Sequence, residues 1–320
     1  MSAPHAVRGA PPRPVLRWHG GKWRLAPWIL SHFPAHRVYV EPYGGAASVL
    51  LRKPRSYAEI YNDLDGEVVN LFRVLQDDRS AARLRHLLHL TPFARAEFDL
   101  AYELSADPIE RARRLVMVCF MGFGSNAHNT ATRTGFRANS DRSGSTPAHD
   151  WANYPDALSA VIERLRGVVV ESRDALQVIA SHDTPRTLIY ADPPYVHSTR
   201  DEGKRQRDYR YEMTDGDHRA LAATLHAVEG MVVLSGYACD LYDCELYPDW
   251  HRVERRTMAD GARPRVEVLW LNPAAQNAKR AEAIPFDFVD APPAVTDAEA
   301  ALRSRFVAPP AHPTPTGEVR

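Results

Sequence analysis

The sequence predicts an α/β fold in which a mostly parallel sheet is doubly wound by helices on both faces and carries a helical insertion. Three observations predict it. Between the chain ends, strand-like apolar runs alternate with helical stretches, the order that covers a parallel sheet on both faces. The interval 61–167 is too long for one crossover helix and changes character in its middle. The composition is that of an ordinary folded protein, with 44% hydrophobic and 25% charged residues, which excludes disordered, collagen-like and coiled-coil chains. At about 150 residues per domain, 320 residues make two domains or one large domain with an insertion.

Taken in order, residues 1–14 are proline-rich and poor in apolar periodicity, and are expected as a flexible tail. A helix is expected over 25–33 and strands over 37–41 and 57–61, the second leading into a helix over 67–75. In the insertion, 76–150, Thr91-Pro92 and Asp107-Pro108 each set an N-cap before a proline at the first helical position. They predict helices over 92–104 and 108–121, the second with a capping box through Glu110. Residues 125–150 are rich in Ser, Thr, Asn and Gly and read as a polar loop. Strands follow over 167–171, 187–191, 231–235 and 266–271. Residues 15–75 and 151–280 thus form the main domain, and 281–320 a second, mostly flexible tail in which Thr296 and Glu299 cap a short helix reaching Phe306.

Lys plus Arg and Asp plus Glu number 40 each, so no overall basic field marks a nucleic-acid partner and such binding must rest on a local patch. Three cysteines, Cys119, Cys239 and Cys244, argue against a disulfide framework and for a reducing compartment. No run approaches the ~18 apolar residues of a membrane helix, and no apolar signal core stands at the start. A soluble, cytoplasmic protein without a membrane partner is expected.

The sharpest motif is Asp192-Pro193-Pro194-Tyr195, directly after the strand TLIYA, where open α/β sheets place ligands. Its residue types suit one chemistry. An exocyclic amino group on a nucleobase is a poor nucleophile because its lone pair is delocalised into the ring. A carboxylate and a rigid backbone carbonyl that accept its two protons redirect that lone pair toward an electrophile. Asp192 and the carbonyl of Pro193 supply those acceptors, two prolines fix the backbone, and Tyr195 offers a face for a flipped base.

A second motif, Glu41-Pro42-Tyr43-Gly44-Gly45-Ala46-Ala47-Ser48, runs from a strand into a small-residue turn of the nucleotide-binding kind, without the GxGxxG spacing of dinucleotide enzymes. Asp63 follows Glu41 by 22 residues at the end of the next strand, where an acidic side chain accepts hydrogen bonds from a ribose; the competing reading is a helix N-cap. Trp18-His19-Gly20-Gly21-Lys22 is no Walker A loop, since the upstream glycine and the following Ser or Thr are missing. Asp174 ends a strand either as a ligand contact or as an N-cap.

In this order the four features resemble the Dam-like DNA adenine N6-methyltransferases, over residues 15–273. WHGGK is similar to that family's W-A-G-G-K segment, EPYGGAASV to its E/D-P-F-x-G-x-G-S-V turn, NDLD to its acidic ribose strand and DPPY to its catalytic loop. Ala46 and Ala47 stand where that family usually has another glycine, and Arg17 where a lysine often precedes the tryptophan. The resemblance implies a Rossmann-like sheet of the S-adenosylmethionine methyltransferase type and S-adenosyl-L-methionine as cofactor. Trp18, Lys22, Glu41, Pro42, Tyr43 and Gly44 would border that cofactor, Asp63 would hold its ribose, Asp174 would meet its adenine, and Asp192 would contact both it and the target amino group. Asp192, Pro193 and Tyr195 are the expected catalytic residues, without a metal. Double-stranded DNA is the expected substrate of a monomer. N4-cytosine methylation is the nearest rival chemistry, and a DNA-binding protein with vestigial activity the rival class.

The insertion then has to meet DNA. Arg133, Arg137 and Arg142 stand among Asn126, Thr134 and further polar residues suited to phosphates and base edges, and Phe123 and Phe136 are suited to wedge or stack where a base leaves the helix. Lys204, Arg205, Arg207 and Arg210 form a charged stretch after DPPY, near phosphate if it is a flap, and Ser235-Gly236-Tyr237 is expected at the rim of the base pocket. Cys239, Cys244 and His251 lack zinc spacing.

Overall fold

Seven strands among the described residues form one sheet in the order β3-β2-β1-β4-β5-β7-β6. They are β1 (Val38–Glu41), β2 (Ala58–Asn62), β3 (Val168–Glu171), β4 (Thr187–Ala191), β5 (Met231–Tyr237), β6 (His251–Ala259) and β7 (Arg263–Leu271). The computed structural model describes residues 10–124, 133–138, 144–199, 210–259 and 263–283. By backbone contacts the chain divides into Met1–Glu282 and Ala283–Arg320, and the second unit, with the expected helix ending at Phe306, lies outside the described residues apart from Ala283.

The first five strands of that order are parallel, while β7 runs antiparallel to β5 and β6 antiparallel to β7. Alternation along the strands feeds two apolar layers. Tyr39, Tyr61, Leu188, Tyr190 and Val233 join one buried cluster, and Val40, Ile60, Ile189, Val232 and Leu234 the other, as period-two side chains on a sheet covered on both faces must. On the first face lie α1 (Ala26–Ser31), α2 (Gly66–Gln76), α5 (Pro108–Met121), α6 (Pro147–Ala152), α7 (Tyr154–Leu165) and α10 (Pro273–Ala283); on the second lie α8 (Ala175–His182) and α9 (Asp215–Ala227). None of the described helices is long and apolar enough to cross a membrane.

All six expected strands are present. The strand β6 was not expected, because HRVERRTMA carries charge on both faces and shows no apolar alternation; as the outer edge it needs none, and charge there deters pairing with another chain. Within the insertion, α3 (Asp78–Leu90) and α5 lie against α2, and Ala112, Leu115 and Val116 of α5 are buried in the first cluster. Asp107 caps α5 through Ile109 N, while the Glu110 carboxylate accepts from Arg113 and Arg114. The helix expected over 92–104 is the shorter α4 (Arg95–Leu100). Thr91 instead ends α3, its hydroxyl donating to Leu87 O and its own oxygen accepting from Arg113, so a cap pattern was spent on the preceding helix. Of the expected first tail, residues 10–14 are described: Arg13 donates to Asp150 O at 2.9 Å and lies over the Phe120 and Tyr154 rings.

Candidate functional site

The carboxyl ends of β1 and β4 meet where the strand order reverses, and a cavity opens there, the position at which open α/β sheets take ligands. The turn after β1 forms one wall. Asn62 ties it down by donating to Pro42 O and Arg173 O while accepting from Arg173 N, and the Tyr61 hydroxyl donates to Gly45 O at 2.6 Å. Two glycines are required. A Cβ on Gly44 would stand 2.1 Å from the Tyr61 ring, and Gly45, at φ 47°, would set one 2.8 Å from Trp18 Nε1. Ala47 adopts the same left-handed backbone, φ 52°, at a cost of about 1 kcal/mol that glycine would not incur; this is the shape the turn takes where the resembling family has its further glycine.

Asp63 closes the turn from β2. Its carboxylate accepts from Gly45 N and Asp65 N, each at 2.7 Å, and burial pushes it up to about 6 against those bonds. The cap of α2 is Asp65, through Glu67 N, so the N-cap reading of Asp63 does not hold. Asp65 also pairs with Arg210 at 3.0 Å, and Arg210, Tyr211 and Met213 line the opposite wall. Arg210 therefore braces the cavity wall through Asp65.

The floor is polar. Lys22, 5% exposed, donates to Gly20 O at 2.8 Å and pairs with Asp192 Oδ2 at 2.8 Å, with Glu267 Oε1 3.8 Å away. Asp192 keeps Oδ1 buried with no hydrogen-bond partner among the described residues. Burial raises its carboxyl to about 6, Lys22 opposing and the Glu267 charge adding. Glu41, wholly buried, accepts from the Tyr39 hydroxyl and Leu50 N on one oxygen. Burial lifts it to about 8, with Asp192 adding to the rise.

Of the residues expected at a cofactor, Trp18, Lys22, Glu41, Pro42, Tyr43, Gly44, Asp63 and Asp192 all line this cavity. Asp174 does not; its carboxylate caps α8 through Gln177 N at 3.1 Å, the helix-cap alternative, and its neighbour Ala175 faces the cavity instead. In the DPPY loop, Pro194 lines the wall and Pro193 is buried. Tyr195 is buried and held from several sides. Its hydroxyl donates to Glu267 Oε1 at 2.6 Å, Tyr237 meets its ring edge-on at 4.4 Å, and Lys22 Nζ lies 4.8 Å from the ring centre. Ser235 is likewise buried, donating to Glu267 Oε1 at 2.8 Å. Glu267 went unnoticed in the sequence, although a glutamate between Val266 and Val268 in an apolar strand is itself a signal.

In the insertion, residues 133–138 return antiparallel to the end of α5, Phe123 N donating to Gly135 O and Arg137 N to Met121 O. Phe123 is 62% exposed. Phe136 packs against Phe93 and Phe98 under Arg95, so its ring serves the insertion's own core and is not presented as a wedge. Arg133 is exposed, paired with Asp99 at 2.6 Å over the Tyr102 ring. Asn126, Arg142, Lys204, Arg205 and Arg207 lie outside the described residues.

Over 192 residues the chain is 26% identical to the DNA adenine methylases of Salmonella typhi and Escherichia coli (strain K12), a span of 58% of this chain and 65% of each relative. The chain thus spans just under two thirds of their length. Over 64 residues it is 36% identical to the DNA adenine methylase of Serratia marcescens, 20% of this chain and 23% of that one. The family model for D12 class N6 adenine-specific DNA methyltransferases matches residues 18–257, from the Trp18 loop into the outer strand of the sheet, and the chain belongs to that family.

Proposed function

We propose that the protein transfers the methyl group of S-adenosylmethionine to the N6 amino group of an adenine in double-stranded DNA, acting as a cytoplasmic monomer. Family membership and the names of the relatives support the reaction. The observation that carries it is Asp192, a cavity-lining carboxylate held at Oδ2 by Lys22 and left with a buried Oδ1 that has no hydrogen-bond partner among the described residues. Such an atom costs stability unless a ligand donor completes it.

The residues fit the cofactor. The Gly44–Gly45 turn has no room for a Cβ and lets backbone approach a ligand, and Asp63 presents a fixed carboxylate beside it. Trp18, Lys22, Tyr43, Asp63 and Asp192 would hold the molecule, which when bound supplies an activated methyl group on a sulfonium. The chain contributes position and proton acceptance. Asp192 Oδ1 and the Pro193 carbonyl are the two acceptors for the amino protons, the prolines keep them in register, and Lys22 keeps Asp192 in place. Phe123 and Arg133 give the insertion an exposed aromatic and a cation for the DNA, with Arg137, Asn126 and Arg142 as further candidates.

The test is expression in a host free of DNA methylation, followed by long-read sequencing, with calorimetry of the purified protein and cofactor. N6-methyladenine at a defined sequence is expected, and Asp63→Ala should weaken cofactor binding by about 1–3 kcal/mol. N4-methylcytosine, or unmodified DNA from a protein that binds the cofactor, overturns the assignment.

A further inference from the structure

Glu267 sits on β7, 2% exposed between apolar neighbours, opposite Tyr237 of β5. A buried carboxylate at that place is costly in a run, 266–271, that is otherwise apolar, so its use lies in what it holds. One oxygen, Oε1, accepts from the Tyr195 hydroxyl and from Ser235 Oγ and faces Lys22 Nζ. The Tyr195 ring is thereby fixed at both ends, by the proline-bounded backbone and by its hydroxyl, with Tyr237 against its edge. We infer that Glu267 is a positioning residue that sets the plane of Tyr195 against the extruded base and keeps Lys22 between itself and Asp192. The inference rests on the proposed reaction: an aromatic face that stacks a base must hold its angle, and a displacement of about 1 Å at such a site costs on the order of 100-fold in rate.

The experiment compares Glu267→Leu, Glu267→Gln, Tyr195→Phe and the Glu267→Leu/Tyr195→Phe pair on the full chain. Single-turnover methylation is measured at the site found by sequencing, together with the fluorescence of DNA carrying 2-aminopurine at the target base. Glu267→Leu should lower the rate by about 10- to 100-fold and weaken the quenching of 2-aminopurine by Tyr195. Glu267→Gln keeps an oxygen acceptor for both hydroxyls and should recover most of the loss. Tyr195→Phe keeps the ring and loses its tether, so it should lower the rate without Glu267 being touched, which covers a Glu267→Leu protein that does not fold. Where that protein does fold, the double variant should be no slower than the slower single one. Parental rate and quenching in Tyr195→Phe, additive losses in the pair, or a Glu267→Gln as impaired as Glu267→Leu each overturn the inference. The parent protein's product tests the reaction itself, and the ratio of variant to parent tests Glu267, so the two fail separately.

Discussion

Glu41 is the group whose replacement is most sharply predicted. Its carboxyl rises from 4.5 to about 8 because it is buried at the end of β1, with the Asp192 charge adding to the rise. The folded state therefore holds a proton that the unfolded chain releases above its ordinary range. The contribution to stability is fully present below pH 4.5 and is lost as the pH climbs through 8. At pH 8 the loss amounts to about 4 kcal/mol and at pH 5 to about 1 kcal/mol, a difference of about 3 kcal/mol. Glu41→Gln isolates it, because the Tyr39 hydroxyl and Leu50 N both donate to Oε2 and one amide oxygen can accept both. Burying an amide adds its own cost of about 1–3 kcal/mol, equal at every pH, so the quantity to read is the pH dependence of the difference. Urea unfolding of parent and variant at pH 5, 6, 7 and 8 should show the variant gaining about 3 kcal/mol on the parent across that range. A difference flat with pH refutes the argument, and with it the picture of a cavity floor that holds one carboxylate fewer at neutral pH than its sequence lists.

Gly44→Ala should cost about 3 kcal/mol in urea unfolding, since its Cβ would meet a Tyr61 ring that is fully buried, edge-on to Phe72 and bonded to Gly45 O; parental stability would show that the turn does not approach Tyr61 so closely. Arg133→Ala should lower the slope of log DNA affinity against log salt by about 0.9, the value for one phosphate contact, and an unchanged slope assigns Arg133 to its ion pair with Asp99.

Much of this could be read from the chain because the signals are local. A strand such as TLIYA, buried at all five positions, announces itself by composition, and the EPYGG turn by glycines whose need the structure shows at Gly44 and Gly45. Where two local signals compete, sequence alone cannot choose. Thr91 satisfies the rule for starting one helix but ends another, and Asp174 stands at a strand end yet caps α8. Phe136 and Arg210 show another limit, since each stands among polar neighbours in the chain and each is held by residues far away in sequence, Phe93 and Asp65.

Glu267 shows the harder limit. Asp192 and Glu41 follow from the parallel core, in which every strand delivers its last residues to the same edge. Glu267 reaches that edge only because β7 enters antiparallel between β5 and β6, setting Tyr237 opposite Glu267 and Gly236 opposite Val268. A strand running the other way exposes its early residues, not its last, to the ligand edge, so an acid near the start of the apolar run becomes a neighbour of DPPY. The reversal itself depends on β6, the charged edge strand that periodicity passes over. Once β6 and β7 are recognised as a hairpin, the one charged residue between Val266 and Leu271 has to face Ser235 and Tyr195, because the alternative is a carboxylate buried without a donor.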